Sequence, residues 1–334
     1  MKYLSLILLP ILCTACGYNP YSPPQTGLEF YSLFWTLDET NVIAAVDTFS
    51  SSGTSWRIQV YSKSGTLIQS FFTPDIASST FSEIIWGTKD DSTFFFTSLG
   101  SSNDFLFRHI IATDSNSIIA GGVINGESFD RNHLLIFPVR SQNGSQRIFI
   151  TDISTAKPRV QGSWMDNVHS GYGFNGNYNA VWMGNKSVGY FRFNELNLVD
   201  FVIVDTNGSK LDSFDLAPLK VIDNVRAMYG PGTLYFAGDS GILKYDSSSK
   251  AFSFLTHDYI YSNDISPDGN FITASKSSAL VAINTQTGIS KVLANVPSKY
   301  LTISPSGNKL AFVDLSNSYY GFTGKLVVIP VSAP

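Results

Sequence analysis

The chain has 334 residues, of which only 14% are charged against a typical ~25%, and a formal net charge of −4. No cluster of Lys and Arg supplies the cationic surface that a phosphate backbone requires, so nucleic acid is excluded as the expected partner. The 25 Phe and 16 Tyr fit pleated surfaces, and the 26 Gly supply turns, so the composition predicts an all-β chain of many short strands joined by tight turns.

At the start, Lys2 precedes an apolar run over residues 3–12, and Cys13-Thr14-Ala15 then leads to Cys16. That is the order of a secretory signal. The run is shorter than the ~20 apolar residues of a transmembrane helix, and Pro10 weakens a helix there by roughly 3 kcal/mol. The residues around Cys16 resemble a bacterial lipobox, in which small residues precede a cysteine that is acylated and becomes the new N-terminus. The resemblance implies a signal peptide over residues 1–15 and a lipid anchor of the palmitate class on Cys16. Cys13 stands where that family usually has Leu, and a plain secretory signal is the alternative. Cys13 and Cys16 are the only cysteines, so the mature chain can form neither a disulfide nor a thiolate metal site. Two or more acyl chains hold a protein on a membrane without a span. Gly17 occupies the place where Asp would argue for the inner membrane. The resemblance therefore favours the outer membrane of the cell envelope, with the periplasmic or surface face open. Residues 16–27, with Pro20, Pro23 and Pro24, read as an extended tether.

Along the remaining chain the same hairpin recurs: an apolar strand ending in Asp, Asn or Ser, a small-residue turn, then another strand. Its landmarks fall at Ser62, Asp114, Asp152, Asp205, Asp246 and Asn284, with gaps of 52, 38, 53, 41 and 38 residues. Those gaps bracket the ~40–50 residues of a four-stranded propeller blade. Nearer the end, Ile265-Ser266-Pro267-Asp268-Gly269-Asn270 is repeated 38 residues later as Ile303-Ser304-Pro305-Ser306-Gly307-Asn308, each copy preceding an apolar strand.

These two turns resemble the WD-like repeats of bacterial TolB-type β-propellers, specifically over residues 259–331; the first five blades do not carry that turn. The resemblance implies a single propeller domain over residues 28–334. Innermost strands are expected near Leu33, Ile84, His133, Asn179, Val225, Tyr261 and Leu301. Seven blades are the expectation, six or eight the alternatives. The last blade is one strand short, and residues 28–31 are expected to supply that strand, because an open sheet edge invites aggregation.

Two stretches break the repeat. Residues 162–179 carry Trp164, Tyr172, Phe174 and Tyr178 for stacking and Asp166, Asn167 and His169 for hydrogen bonding. Trp164, Asp166, His169, Tyr172, Phe174 and Tyr178 are the ligand-binding candidates. A crossover whose aromatics cap the core is the competing reading. Residues 126–133 hold Glu127, Asp130, Arg131 and His133, for which a solvated loop is the simpler account. His109, His133, His169 and His257 have no metal-ligand spacing, and no Gly-x-Ser-x-Gly elbow or haem-attachment motif is present. No catalytic residue, cofactor or metal is therefore assigned. Asp38, Asp90, Asp239 and Asp264 could still pair across a channel. Two functions follow: a non-catalytic envelope lipoprotein whose propeller binds a protein or glycan partner, or a glycan lyase or hydrolase with its site in the channel.

Overall fold

The computed structural model describes residues 27–334 apart from 51–52, 73–80, 88–92, 100–103, 114, 122, 129–132, 139–145, 153–158, 167–179, 184–186, 194–195, 197–198, 216–225, 239 and 319–322. Its strands form seven antiparallel sheets, each hydrogen-bonded in chain order, six with four strands and one with three. The first contains β1 (Gly27–Trp35), β2 (Asn41–Ser50), β3 (Gly53–Ser62) and β4 (Leu67–Phe72). The second contains β5 (Phe81–Gly87), β6 (Thr93–Leu99), β7 (Asp104–Ile110) and β8 (Ser115–Gly121). The third contains β9 (Val123–Ser128), β10 (His133–Pro138), β11 (Gln146–Asp152) and β12 (Arg159–Asp166). The fourth contains β13 (Ala180–Trp182), β14 (Ser187–Phe193), β15 (Val199–Asp205) and β16 (Lys210–Asp215). The fifth contains β17 (Arg226–Gly230), β18 (Thr233–Gly238), β19 (Gly241–Asp246) and β20 (Ala251–Thr256). The sixth contains β21 (Ser262–Ile265), β22 (Phe271–Ser275), β23 (Leu280–Asn284) and β24 (Ser290–Ala294). The seventh contains β25 (Ser298–Ile303), β26 (Lys309–Asp314) and β27 (Lys325–Pro330).

The first strands of successive sheets lie side by side, and β25 in turn lies beside β1. Middle strands are therefore covered on both faces: Phe271–Ser275 is buried throughout. The apolar clusters follow this stacking. One joins the first and second sheets through Ile43, Ile58, Phe71 and Phe107. Another joins the fifth and sixth through Met228, Tyr235, Ile272 and Ile283. A third joins the seventh to the first through Phe30, Trp35, Val42, Ala311, Val313 and Leu326.

The expected hairpins Ser62, Asp152, Asp205, Asp246 and Asn284 close β3, β11, β15, β19 and β23; Asp114 lies outside the described residues. Three expectations change. The first innermost strand begins at Gly27, ahead of Leu33. His133 opens β10, the second strand of its sheet, because β10 pairs on one side with β9 (Leu135↔Glu127) and on the other with β11 (Leu135↔Ile150). The polar innermost strand Val123–Ser128 gave no apolar signal to read. Residues 28–31 do not extend the last sheet: they run inside β1 and pair with β2, Leu28↔Thr48 to Phe30↔Val46.

Side chains from both neighbours satisfy the inner edge of β25. Ser262 Oγ accepts from Leu301 N (3.3 Å) and Asp264 Oδ2 from Ile303 N (2.7 Å), while Trp35 Nε1 donates to Thr302 O (3.0 Å). Buried backbone groups need such partners.

The turns after the first strands also stack. In the sixth sheet Ser266 N donates to Phe271 O, Gly269 N to Ser266 O, and Ser266 Oγ to Asp268. The first sheet builds the same turn from different residues: Thr36 N donates to Asn41 O, Glu39 N to Thr36 O, and Thr36 Oγ1 to Asp38. Glu39, at φ 55°, stands where Gly269 has φ 73° and Gly307 φ 76°. A left-handed backbone costs a non-glycine residue roughly 1–2 kcal/mol. Offsetting that, the Glu39 carboxylate accepts from Ser306 N in the seventh sheet's turn and lies 3.6 Å from Lys309 Nζ. At Gly269 a Cβ would meet Pro231 Cδ at 2.7 Å, so the sixth sheet's turn rests directly on the fifth's.

This stacking separates two glycines of similar conformation. Gly232, at φ 79°, has nothing within 4 Å of an added Cβ. Gly232→Ala should cost roughly 1–2 kcal/mol, the backbone strain alone. Gly269→Ala adds overpacking and should cost about 1–3 kcal/mol more. Equal urea midpoints for the two variants would mean that the turns do not rest on one another.

Candidate functional site

Strand alternation gives the molecule two loop faces. Turns between first and second and between third and fourth strands share one; on the other lie turns between second and third strands and the crossovers to the next sheet. Trp164 and Asp166 end β12 on the crossover face, where residues 167–179 lead to β13.

The structure places these two candidates in a strand and gives them partners in the fourth sheet. Trp164 packs over Gly208, where a Cβ would lie 2.4 Å from its ring, and its Nε1 donates to Tyr190 Oη (3.0 Å). Tyr190 Oη donates to Asp166 Oδ2 (2.6 Å), and Arg192 Nη1 lies 3.4 Å from Asp166 Oδ1. Tyr190 is 1% exposed. Burial first, then the Asp166 carboxylate, holds its phenol above the ordinary value. It therefore stays a neutral donor. The chain Trp164–Tyr190–Asp166–Arg192 links the third sheet to the fourth, with Trp164 packed at that contact. Leu196, 77% exposed in the turn after β14, stands on the same face. His169, Tyr172, Phe174, Tyr178 and Asn167 lie outside the described residues.

Of the four carboxylates considered for acid–base work, the two described, Asp38 and Asp264, are engaged separately. Asp38 lies in the first sheet's stacked turn, accepting from Thr36 Oγ1 and from Thr40 N, and the latter bond leads in holding its carboxyl below the ordinary value. Asp264 accepts from Ile303 N and Ile265 N between β21 and β25. Burial holds its carboxyl above the ordinary value, with Arg226 and the two amides opposing. Asp90 and Asp239 lie outside the described residues, as do Asp130 and Arg131.

Of the histidines, His109 packs on Phe71 in the first–second interface (ring centroids 4.7 Å) and His257 on Phe254 in the fifth sheet (4.0 Å). Among the described residues no three His, Cys, Asp or Glu side chains gather as a metal site. Nor is any helix among them long and apolar enough to cross a membrane.

A pair that sequence reasoning passed over sits on β1 and β2. Glu29 and Asp47 are direct partners across the strands, and Asp47 is 5% exposed with Oδ1 lacking any hydrogen bond. Burial first, then Glu29, pushes the Asp47 carboxyl up to about 6. Only the pairing register, which composition does not reveal, brings the two together.

The sheets stacked around their first strands define the chain as a β-propeller. Neither a family sequence profile nor a curated protein matches it. Solved structures do. The propeller domain of the trilobed protease from Pyrococcus furiosus, described as having an open velcro topology, superposes with a TM-score of 0.64 at 10% identity, covering 90% of this chain and 93% of that one. An oligogalacturonate lyase in complex with manganese gives 0.60 at 13%, covering 94% and 92%. The Cps50 (Swd1) propeller domain of Myceliophteria thermophila gives 0.57 at 9%, covering 91% and 100%. At such identities the likeness is one of fold alone.

Proposed function

We propose that this chain is an envelope lipoprotein, held by lipid on Cys16 and directed to the outer membrane. Its seven-bladed propeller, residues 28–334, binds a protein or glycan partner through the crossover face without catalysing a reaction. The ring closes by packing of the seventh blade on the first, as the Trp35 cluster and the stacked turns support, rather than by an exchanged strand. The single observation that supports the non-catalytic reading is that Asp38 and Asp264, the two described members of the four acid–base candidates, are each engaged locally, Asp38 in its own turn and Asp264 between β21 and β25. The second reading, a glycan lyase or hydrolase in the channel, draws on the oligogalacturonate lyase that shares the fold. It requires carboxylates or histidines that converge where a substrate reaches them, and in the cross-strand carboxylate pair Glu29–Asp47, Asp47 is only 5% exposed.

Crosslinking capture from the native envelope tests the partner reading. Tyr172, Phe174 and Tyr178 changed together to Ala should lose the captured partner while the melting temperature holds; Trp164 is left in place because it packs the interface. Capture undiminished by that variant would remove the 167–179 stretch from the site. Fatty-acid labelling abolished by Cys16→Ser would support the anchor, and labelling that persists would refute it.

A further inference from the structure

The crossover from β20 to β21 carries an exposed aromatic pair. Tyr259 is 41% and Tyr261 37% exposed, with ring centroids 4.7 Å apart in an edge-to-face arrangement. Between them Ile260 is 2% exposed, set into the core of the fifth and sixth blades. The loop is fixed from both ends. Thr256 Oγ1 and Lys276 Nζ both donate to Asp258 Oδ2, at 2.7 and 2.6 Å, and Tyr261 N donates to Ser275 O (2.9 Å). Lys276 N donates in turn to Ala279 O (2.8 Å), holding the neighbouring turn. The backbone that carries the two rings is thus held at Tyr261 and beside Tyr259, which lowers the ordering cost of binding.

We propose that Tyr259 and Tyr261, flanked by the Asp258–Lys276 pair, form a subsite for a neutral oligosaccharide. A pyranose with equatorial substituents presents flat faces of C–H groups, whose slight positive charge complements the negative face of a phenol ring. Its hydroxyls both donate and accept, matching a carboxylate that accepts beside an ammonium that donates. Lys276 answers the charge of Asp258, and the net charge of −4 opposes an acidic sugar. A protein partner contributes roughly 800 Å² to an interface, well beyond two tyrosines and an ion pair. This inference deepens the partner-binding reading, on which it rests, by naming a sugar at a second place on the same face.

The test titrates the full mature chain, carrying Cys16→Ser for solubility, with cellotetraose, chitotetraose and trigalacturonate up to about 10 mM, a range that registers millimolar affinities. At least one neutral tetrasaccharide should bind with Kd on the order of 0.1–1 mM. Tyr259→Ala and Tyr261→Ala should each weaken binding about tenfold, a loss of roughly 1.4 kcal/mol, with melting unchanged. Tyr261→Phe should retain it, and trigalacturonate should bind more weakly. Failure of both neutral sugars to bind, equal affinity in the alanine variants, or preference for trigalacturonate overturns the proposal. So does loss of a captured envelope protein from those variants where no sugar binds, which would make the platform a protein contact. The triple variant at Tyr172, Phe174 and Tyr178 should keep its sugar affinity, so a failed envelope capture is distinguishable from a failed subsite.

Discussion

Trp35→Ala should lower stability by about 3–5 kcal/mol, the range for removing a large buried aromatic. The side chain is 2% exposed and belongs to the cluster that joins the β25–β27 sheet to the β1–β4 sheet. Its Nε1 holds Thr302 O, and Lys309 Nζ sits 5.5 Å above its ring. The loss thus strikes the junction where the β25–β27 sheet packs on the β1–β4 sheet. Trp35→Phe retains most of the packing but leaves the Thr302 carbonyl unpaired, at a cost of about 1–3 kcal/mol. Urea unfolding measures both. The alanine variant should shift the midpoint at unchanged slope, whereas a loss below about 1 kcal/mol would mean that this junction contributes little to stability.

The second large effect has the opposite sign. Asp47→Asn should stabilise the protein above pH 7, because burial disfavours the Asp47 charge and Glu29, directly across the strands, repels it. With the Asp47 carboxyl pushed up to about 6, the folded chain holds a proton that the unfolded chain, at about 3.9, has released. Stability is therefore greatest at low pH and falls as pH rises through about 6. Each unit of elevation is worth about 1.36 kcal/mol, so the gain from the variant is about 3 kcal/mol at pH 7.5 and falls to a few tenths near pH 4. Urea midpoints at the two pH values decide the matter. A variant less stable than the parent at pH 7.5 would show that the carboxylate has a stabilising counter-charge.

What the sequence revealed, and what it hid, follows from how local each interaction is. The hairpins at Ser62, Asp205, Asp246 and Asn284 were legible because one short polar side chain captures the next amides: Asp205 Oδ1 accepts from Asn207 N and Ser209 N, both at 2.8 Å, and Ser62 Oγ from Thr66 N at 3.1 Å. Such turns carry their own chemistry within five residues. The first blade's turn escaped notice because Glu39 replaces glycine, and the contact that makes this tolerable is with Ser306, 267 residues away. Trp164 and Asp166 resembled loop ligands for the same reason: Tyr190 and Gly208, which claim them, belong to the next blade. The aromatic pair at Tyr259 and Tyr261 lay beside a legible strand start, yet its exposure depends on Ile260 alone turning inward.

The central claim is that the crossover face meets the partner, and site-specific photo-crosslinking in the native envelope addresses it most directly. A photoreactive side chain would be placed in turn at Leu196 and Ser278 on that face, and at Lys63 and Pro267 on the opposite one. All four sites lie in turns flanking well-formed strands. A discrete protein or glycan adduct should form from Leu196 or Ser278 and none from Lys63 or Pro267. Adducts confined to Lys63 and Pro267 would contradict the central claim and move the binding surface to the stacked turns.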